Sequence, residues 1–157
     1  MSTHLNNLLV HPEFLEGTHW EIRSVAGNDY VFREGEQNND VFIILSGTVR
    51  VLGTVDLNKD THVSPGFSDL GEGQVFGELP LFDKQPRSAS VAAVNDCELA
   101  VLHGDKLIEF LDAHPDIGYN ILRGIVESLV ERLRKANQRV FSLFAWGLKS
   151  SGIDQYL

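Results

Sequence analysis

The stretch VFGELPLFDKQPRSASV, residues 75–91, concentrates the chemistry of this chain. A β-prone run ends at Phe76. Gly77 then permits close backbone approach, Glu78 sets a carboxylate at the turn, and Leu79 to Phe82 make a compact apolar segment that suits a short helical turn. The first N–H groups of such a turn have no intrahelical acceptor and form a cradle for phosphate oxygens. Pro80 removes one of them but is tolerated that early in a helix. Arg87 supplies the charge, because a guanidinium offers paired planar donors that match the two exocyclic oxygens of a phosphodiester. Ser88 adds a hydroxyl or its backbone N–H, and Ala89 leads into the next strand. A carboxylate is a poor neighbour for phosphate and a good acceptor for a sugar hydroxyl, so Glu78 is expected on a ribose. The plainer alternative for Glu78 and Arg87 is an ion pair between them.

Outward from this stretch, residues 20 to 103 are built of short β-rich runs, among them YVFRE (30–34), VFIIL (41–45) and TVRVL (48–52). Ser46-Gly47 joins two of them as a hairpin would, and Asn95-Asp96-Cys97 does the same between SVAAV (90–94) and ELAVL (98–102). Leu5, Leu8, Leu9, Phe14 and Leu15 recur at helical spacing before the first strand, with Pro12 interrupting them. GDKLIEFLDAHP predicts a short helix that ends before Pro115. The expected fold is mainly β with helices: a β-roll or jelly-roll barrel over about residues 19–103, a short N-terminal helical segment, a helical part over about 104–145 and a tail over 146–157. One domain accounts for all 157 residues.

From Asp116 onward a long helix is predicted, with Leu122, Val126, Leu129, Leu133, Ala136, Val140 and Leu143 spaced 4-3-4-3-4-3. This seam either packs on the roll of its own chain or pairs with a second copy; its length favours a homodimer through the C-terminal helix. Arg132, Arg134, Lys135 and Arg139 read as a solvated basic face or a docking site for an acidic partner. The tail carries Phe141, Phe144, Trp146 and Tyr156, which complete a core or a dimer, or else receive a protein partner.

A formal net charge of −9 excludes a general nucleic-acid-binding surface, so an anionic ligand needs a local exception. The one cysteine, Cys97, forms no intrachain disulfide. With no signal-like start and no apolar run long enough for a bilayer, the chain is expected in the cytoplasm, without membrane contact. Jelly rolls also host metal enzymes, but His4, His11, His19, His62, His103 and His114 are not spaced as ligands, and Cys97 has no His in a partner motif. No catalytic residue, metal or cofactor is expected.

Phe76-Gly77-Glu78-Leu79, followed at the same spacing by Pro86-Arg87-Ser88-Ala89, resembles the phosphate-binding cassette of cyclic nucleotide-binding domains. The FREGE run at 32–36, DVFIILSGTVRV at 40–51 and LGEGQVFGE follow that family in order, from about Leu15 to Asn137. LVERLRKANQRV, residues 129–140, is similar to the dimerisation helix of catabolite activator-type regulators, which continue into a helix-turn-helix domain. The chain ends at Leu157, so no DNA-binding output is expected and a stand-alone sensor with a protein partner is. The resemblance implies a ligand site of Phe76, Gly77, Glu78, Leu79, Arg87, Ser88 and Ala89, with Asn137 at a position that contacts the purine. Ser88 stands where a threonine goes with guanine in this family, which implies cyclic AMP before cyclic GMP. A nucleotide-free interaction scaffold and a cyclic di-GMP binder are the alternatives on the same fold.

Overall fold

The computed structural model describes residues 3–53, 55–58, 61–63 and 66–152, so Tyr156 and the end of the tail lie outside the described residues. A short helix α1 (Thr3–Asn6) runs into a 3-10 turn (Asn7–Val10). Strands β1 (Trp20–Val25), β2 (Tyr30–Phe32), β3 (Val41–Ser46), β4 (Val49–Leu52), β5 (Val55–Asn58), β6 (Thr61–Val63), β7 (Gly66–Leu70) and β8 (Val75–Phe76) follow. Helix α2 (Leu79–Asp83) separates them from β9 (Ser90–Ala93) and β10 (Cys97–Leu102). Helices α3 (Gly104–Ala113) and α4 (Pro115–Ser151) close the chain. The strands form two antiparallel four-stranded sheets, ordered β1-β10-β3-β8 and β2-β9-β4-β7, with β5-β6 as a separate ribbon. This is the expected jelly-roll-like arrangement with a short N-terminal helix and a long C-terminal one.

The continuous apolar run of β3 has a structural cause. Because successive side chains point to opposite faces, Phe42 and Ile44 enter the core between the sheets while Val41 and Ile43 enter a second core under the helices. β10 repeats the division with Leu99 and Val101 against Ala100 and Leu102, in register with β3 (Val101 opposite Phe42, Ala100 opposite Ile43). Leu5, Leu8 and Phe14 from the N-terminal segment and Leu107, Phe110, Ile121 and Ile125 from the helices complete the second core.

Two expected hairpins are corners instead. β3 and β4 lie in different sheets, as do β9 and β10. Each turn pairs with the other turn rather than closing its own strands. Val94 N–H donates to the Thr48 carbonyl at 2.8 Å, and Thr48 N–H donates to Asn95 Oδ1 at 2.8 Å. Gly47 has φ of +91°, and a β-carbon there would stand 2.6 Å from the Asp96 carbonyl oxygen and from Cys97 Sγ, so only glycine lets the corners meet.

The seam does not pack on the roll. The buried residues of α4 are Gly118, Ile121, Gly124 and Ile125. Of the seam, only Leu129 leans on the core; Leu122, Val126, Leu133, Val140 and Leu143 are exposed. Seam and buried stripe run parallel, one residue and therefore about 100° apart on the helix.

Candidate functional site

A cleft of about 820 Å³ opens between the inner sheet faces, the 76–91 segment and α4. Phe32 and Phe76 make its floor aromatic, and buried Phe42 stacks on Phe76 at 5.0 Å and lies 5.5 Å from Phe32. Over that floor sits Arg87, 3% exposed, its guanidinium carbon 4.1 Å from the centre of the Phe32 ring. The FREGE run holds its backbone, since Arg87 N–H donates to the Glu36 carbonyl and Gly35 N–H donates to the Arg87 carbonyl, each at 2.8 Å. Nη1 donates to the Gly77 carbonyl at 2.7 Å. Nη2 donates to Asn38 Oδ1 at 3.0 Å and to the Asp40 carbonyl at 2.8 Å. Nε is buried without a partner. Burial lowers the Arg87 pKa, and the charges of Asp40, Glu36 and Glu78 oppose that effect. A guanidinium nonetheless keeps its proton, so the cleft contains a fixed, desolvated positive charge with one N–H unanswered.

Gly77 follows β8 with φ of +79°. A β-carbon would come within 2.9 Å of the Phe42 ring and 3.0 Å of Arg87 Nη1. Glycine is therefore required twice here, for its backbone and for its lack of a side chain. Glu78 begins the α2 turn and is 2% exposed. It does not pair with Arg87: its Oε1 accepts a hydrogen bond from Arg132 of α4, which also donates to the Val75 carbonyl. Leu79 stands exposed at the mouth, and Ser88 and Ala89 line the wall that leads into β9.

All seven cassette residues, with Phe76 in the floor, are thus gathered around one cleft. Asn137 is not among its lining residues; it is exposed on α4, while Ala136 before it and Arg139 beyond it do line the cleft. Sequence reasoning missed Arg132. The basic run reads as a solvated face or a docking site for an acidic partner, whereas Arg132, Lys135 and Arg139 face the cleft. They continue the buried stripe through Ile121, Ile125 and Ser128, all spaced alternately by four and three residues. That continuation is the signal in the sequence that could have found them.

The cleft is also the local charge exception that an acidic chain needs for an anion. Its carboxylates are neutralised by neighbours: Asp69 by Arg50 at 2.7 Å, Glu131 by Lys135 at 3.0 Å and Glu78 by Arg132. The Asp69 pKa is lowered chiefly by its hydrogen bond from Arg50. Arg139 has no ion-pair partner among the described residues. The described residues include no cluster of three metal-binding side chains and no helix long and apolar enough to cross a membrane.

Comparison with known proteins agrees with this geometry. The family model described as cyclic nucleotide-binding domain matches residues 22–114. The cyclic AMP receptor protein of Thermus thermophilus is 30% identical over 107 residues, covering 68% of this chain and 46% of that protein. Among solved structures, the Thermus thermophilus catabolite activator protein superposes with a TM-score of 0.67 at 25% identity, covering 90% of this chain and 59% of that one. A cyclic nucleotide-binding domain from Methylobacillus flagellatus gives 0.68 at 26% identity, covering 79% and 67%. The chain spans about half the length of the curated relatives it matches.

Proposed function

Since the chain belongs to the cyclic nucleotide-binding domain family, we propose that its cleft takes a cyclic mononucleotide, cyclic AMP in preference to cyclic GMP, and that it works as a non-enzymatic sensor. The observation that carries this reading is the separation of two buried charges. Arg87 is held over an aromatic floor with its Nε unanswered, and Glu78 beside it is kept away from that guanidinium by a different partner. A phosphodiester meets Arg87 and the Leu79 N–H at the start of α2, since Pro80 has no N–H and that of Leu81 donates to the Glu78 carbonyl. A ribose hydroxyl meets Glu78. Ser88 in the wall of the cleft supports adenine over guanine through the family resemblance stated above.

Output follows from the position of α4. Arg132 ties α4 to Glu78, so a ligand that engages Glu78 competes for that contact and biases where the helix rests. The exposed seam from Leu133 to Leu143 supports a homodimer through α4, with the helix pair passing the change to a protein partner. The reading is tested by calorimetric titration with cyclic AMP, cyclic GMP and cyclic di-GMP, with Arg87→Ala as control. Cyclic AMP is expected to bind most tightly, and Arg87→Ala to lose about 1.5–3 kcal/mol of affinity, or more than tenfold, with its circular dichroism unchanged. Silence toward all three from folded, nucleotide-free protein would leave a scaffold on the same fold, and preference for cyclic di-GMP would replace the ligand.

A further inference from the structure

His114 is the one residue between α3 and α4, and it closes that joint with both its backbone and its ring. Its N–H caps α3 on the Phe110 and Leu111 carbonyls, and its carbonyl accepts the Gly118 N–H of α4 at 2.9 Å. The ring stacks on Phe110 at 4.1 Å. Nδ1 lies 2.9 Å from the Phe110 carbonyl oxygen, and Nε2 lies 2.8 Å from Glu13 Oε2 in the N-terminal segment. A carbonyl and a carboxylate both accept. A neutral imidazole has a single N–H and satisfies one of them, whereas the imidazolium donates to both.

Two neighbouring histidines have the opposite requirement. His11 Nδ1 accepts the Glu13 N–H at 3.1 Å, and His19 Nδ1 accepts the Leu15 N–H at 2.9 Å, so each uses a ring lone pair. His11 packs edge-on against Phe110 and His114, and His19 packs edge-on against Phe110 from the side of Phe14. The cluster thus contains one histidine whose two ring contacts are both acceptors and two whose Nδ1 accepts a backbone N–H. The other charged groups near the joint are Glu109 and Asp112 of α3 and Asp116 of α4. None of these forms an ion pair with His114 among the described residues; Glu13 alone does.

We propose that the His114 imidazolium is a proton-operated clasp, tying the N-terminal segment to the α3–α4 joint and loosening when the proton leaves a single N–H for two acceptors. The contacts act in the required direction: the Phe110 carbonyl first, and the Glu13 carboxylate second, raise the His114 pKa above the ordinary 6.5. A raised folded-state pKa gives a stabilisation that is complete below about 6.5 and is lost as pH rises through the folded value. The clasp therefore opens on the alkaline side. Because α4 forms a wall of the cleft, the joint is placed where a proton can act on the helix that the cleft also touches.

The test uses the ligand-free 157-residue chain and does not depend on the nucleotide reading. The His114 ring is titrated by NMR in wild type and in Glu13→Gln, an exposed substitution that leaves the core alone, while thermal midpoints of both proteins are recorded from pH 6 to pH 9. His114 is expected to hold its proton above the ordinary histidine range in wild type and to release it at lower pH in the variant. The wild-type advantage in thermal midpoint is expected to shrink as pH rises. A His114 titration unmoved by Glu13→Gln, or a difference in midpoint that is the same at every pH, would overturn the clasp.

Discussion

The first half of α4 buries Gly118, Ile121, Gly124 and Ile125 under the roll, whereas in the second half Val140, Phe141, Leu143, Phe144 and Trp146 are 61–70% exposed. Both halves belong to one uninterrupted helix, and both carry residues spaced alternately by three and four. The difference shows that two stripes share this helix. The one through residues 118, 121, 125, 128, 132, 135 and 139 faces the roll and its cleft, changing from apolar to basic as it passes from core to cleft. The one through 122, 126, 129, 133, 136, 140 and 143, a single residue away, stays apolar to the end, and beyond Leu129 and Ala136 its side chains are exposed among the described residues. Charge marks the stripe that lines the cleft, and persistent apolarity marks the stripe on which the proposed helix pair rests.

The sharpest way to break this contrast is to place a charge on the outer stripe where it projects furthest. Val140→Asp leaves the isolated chain within about 0.5 kcal/mol of wild type, because an exposed position away from core and caps tolerates substitution. In a helix pair the same change buries two carboxylates side by side. It is expected to weaken association by about 2–3 kcal/mol or more, from the penalty for burying unpaired polar groups alone. Sedimentation equilibrium across a dilution series reads both the wild-type mass and its loss. A wild type that sediments as a monomer throughout would mean that the outer stripe meets some other surface.

Much of the fold, and nearly all of the cassette, could be read from the residues. The strands could be read because β-branched and aromatic runs between turn residues have few other uses, and the cassette because Glu78 and Arg87 have side-chain chemistry, and Gly77 a backbone freedom, specific to a task. The corners at Gly47 and Asn95 could not be read. A glycine with positive φ and a short polar link serve equally a hairpin and a switch between sheets, and the choice rests on the contact of each turn with the other, nearly fifty residues away. Arg132 was hidden for a related reason. Whether a basic helix face meets water or a cleft depends on how the helix is rotated against the roll, which is set by Ile121 and Ile125, about three and two turns earlier. Glu78 gave a hint, since a carboxylate buried beside a glycine turn requires a donor.

That requirement gives the inner stripe its own test. Arg132→Ala leaves the Glu78 carboxylate buried and without its donor, which costs about 1–3 kcal/mol of stability in the ligand-free protein. Glu78→Gln on the same background removes the stranded charge and is expected to recover most of that loss in urea denaturation. If Arg132→Ala is as stable as wild type, water rather than Arg132 satisfies Glu78, and the inner stripe is tied to the cleft less firmly than the contrast requires.

The smallest effect is expected at Asn137, which belongs to neither stripe. It lies about 100° beyond Ala136 and about 200° beyond Lys135, turned away from the cleft of its own chain. Asn137→Ala is therefore expected to change stability by less than about 0.5 kcal/mol and to leave the nucleotide affinity of a monomeric Val140→Asp background unchanged. The informative comparison is with the same substitution in wild-type protein. Asn137 is the neighbour of Ala136 on the seam side, so a second helix packed along the seam is the partner that brings it toward a ligand. A loss of affinity on Asn137→Ala in the wild type but not in the Val140→Asp background would show that the two stripes meet across the pair, one helix supplying the cations and the other the amide. Equal affinity in both would confine recognition to the inner stripe of a single chain.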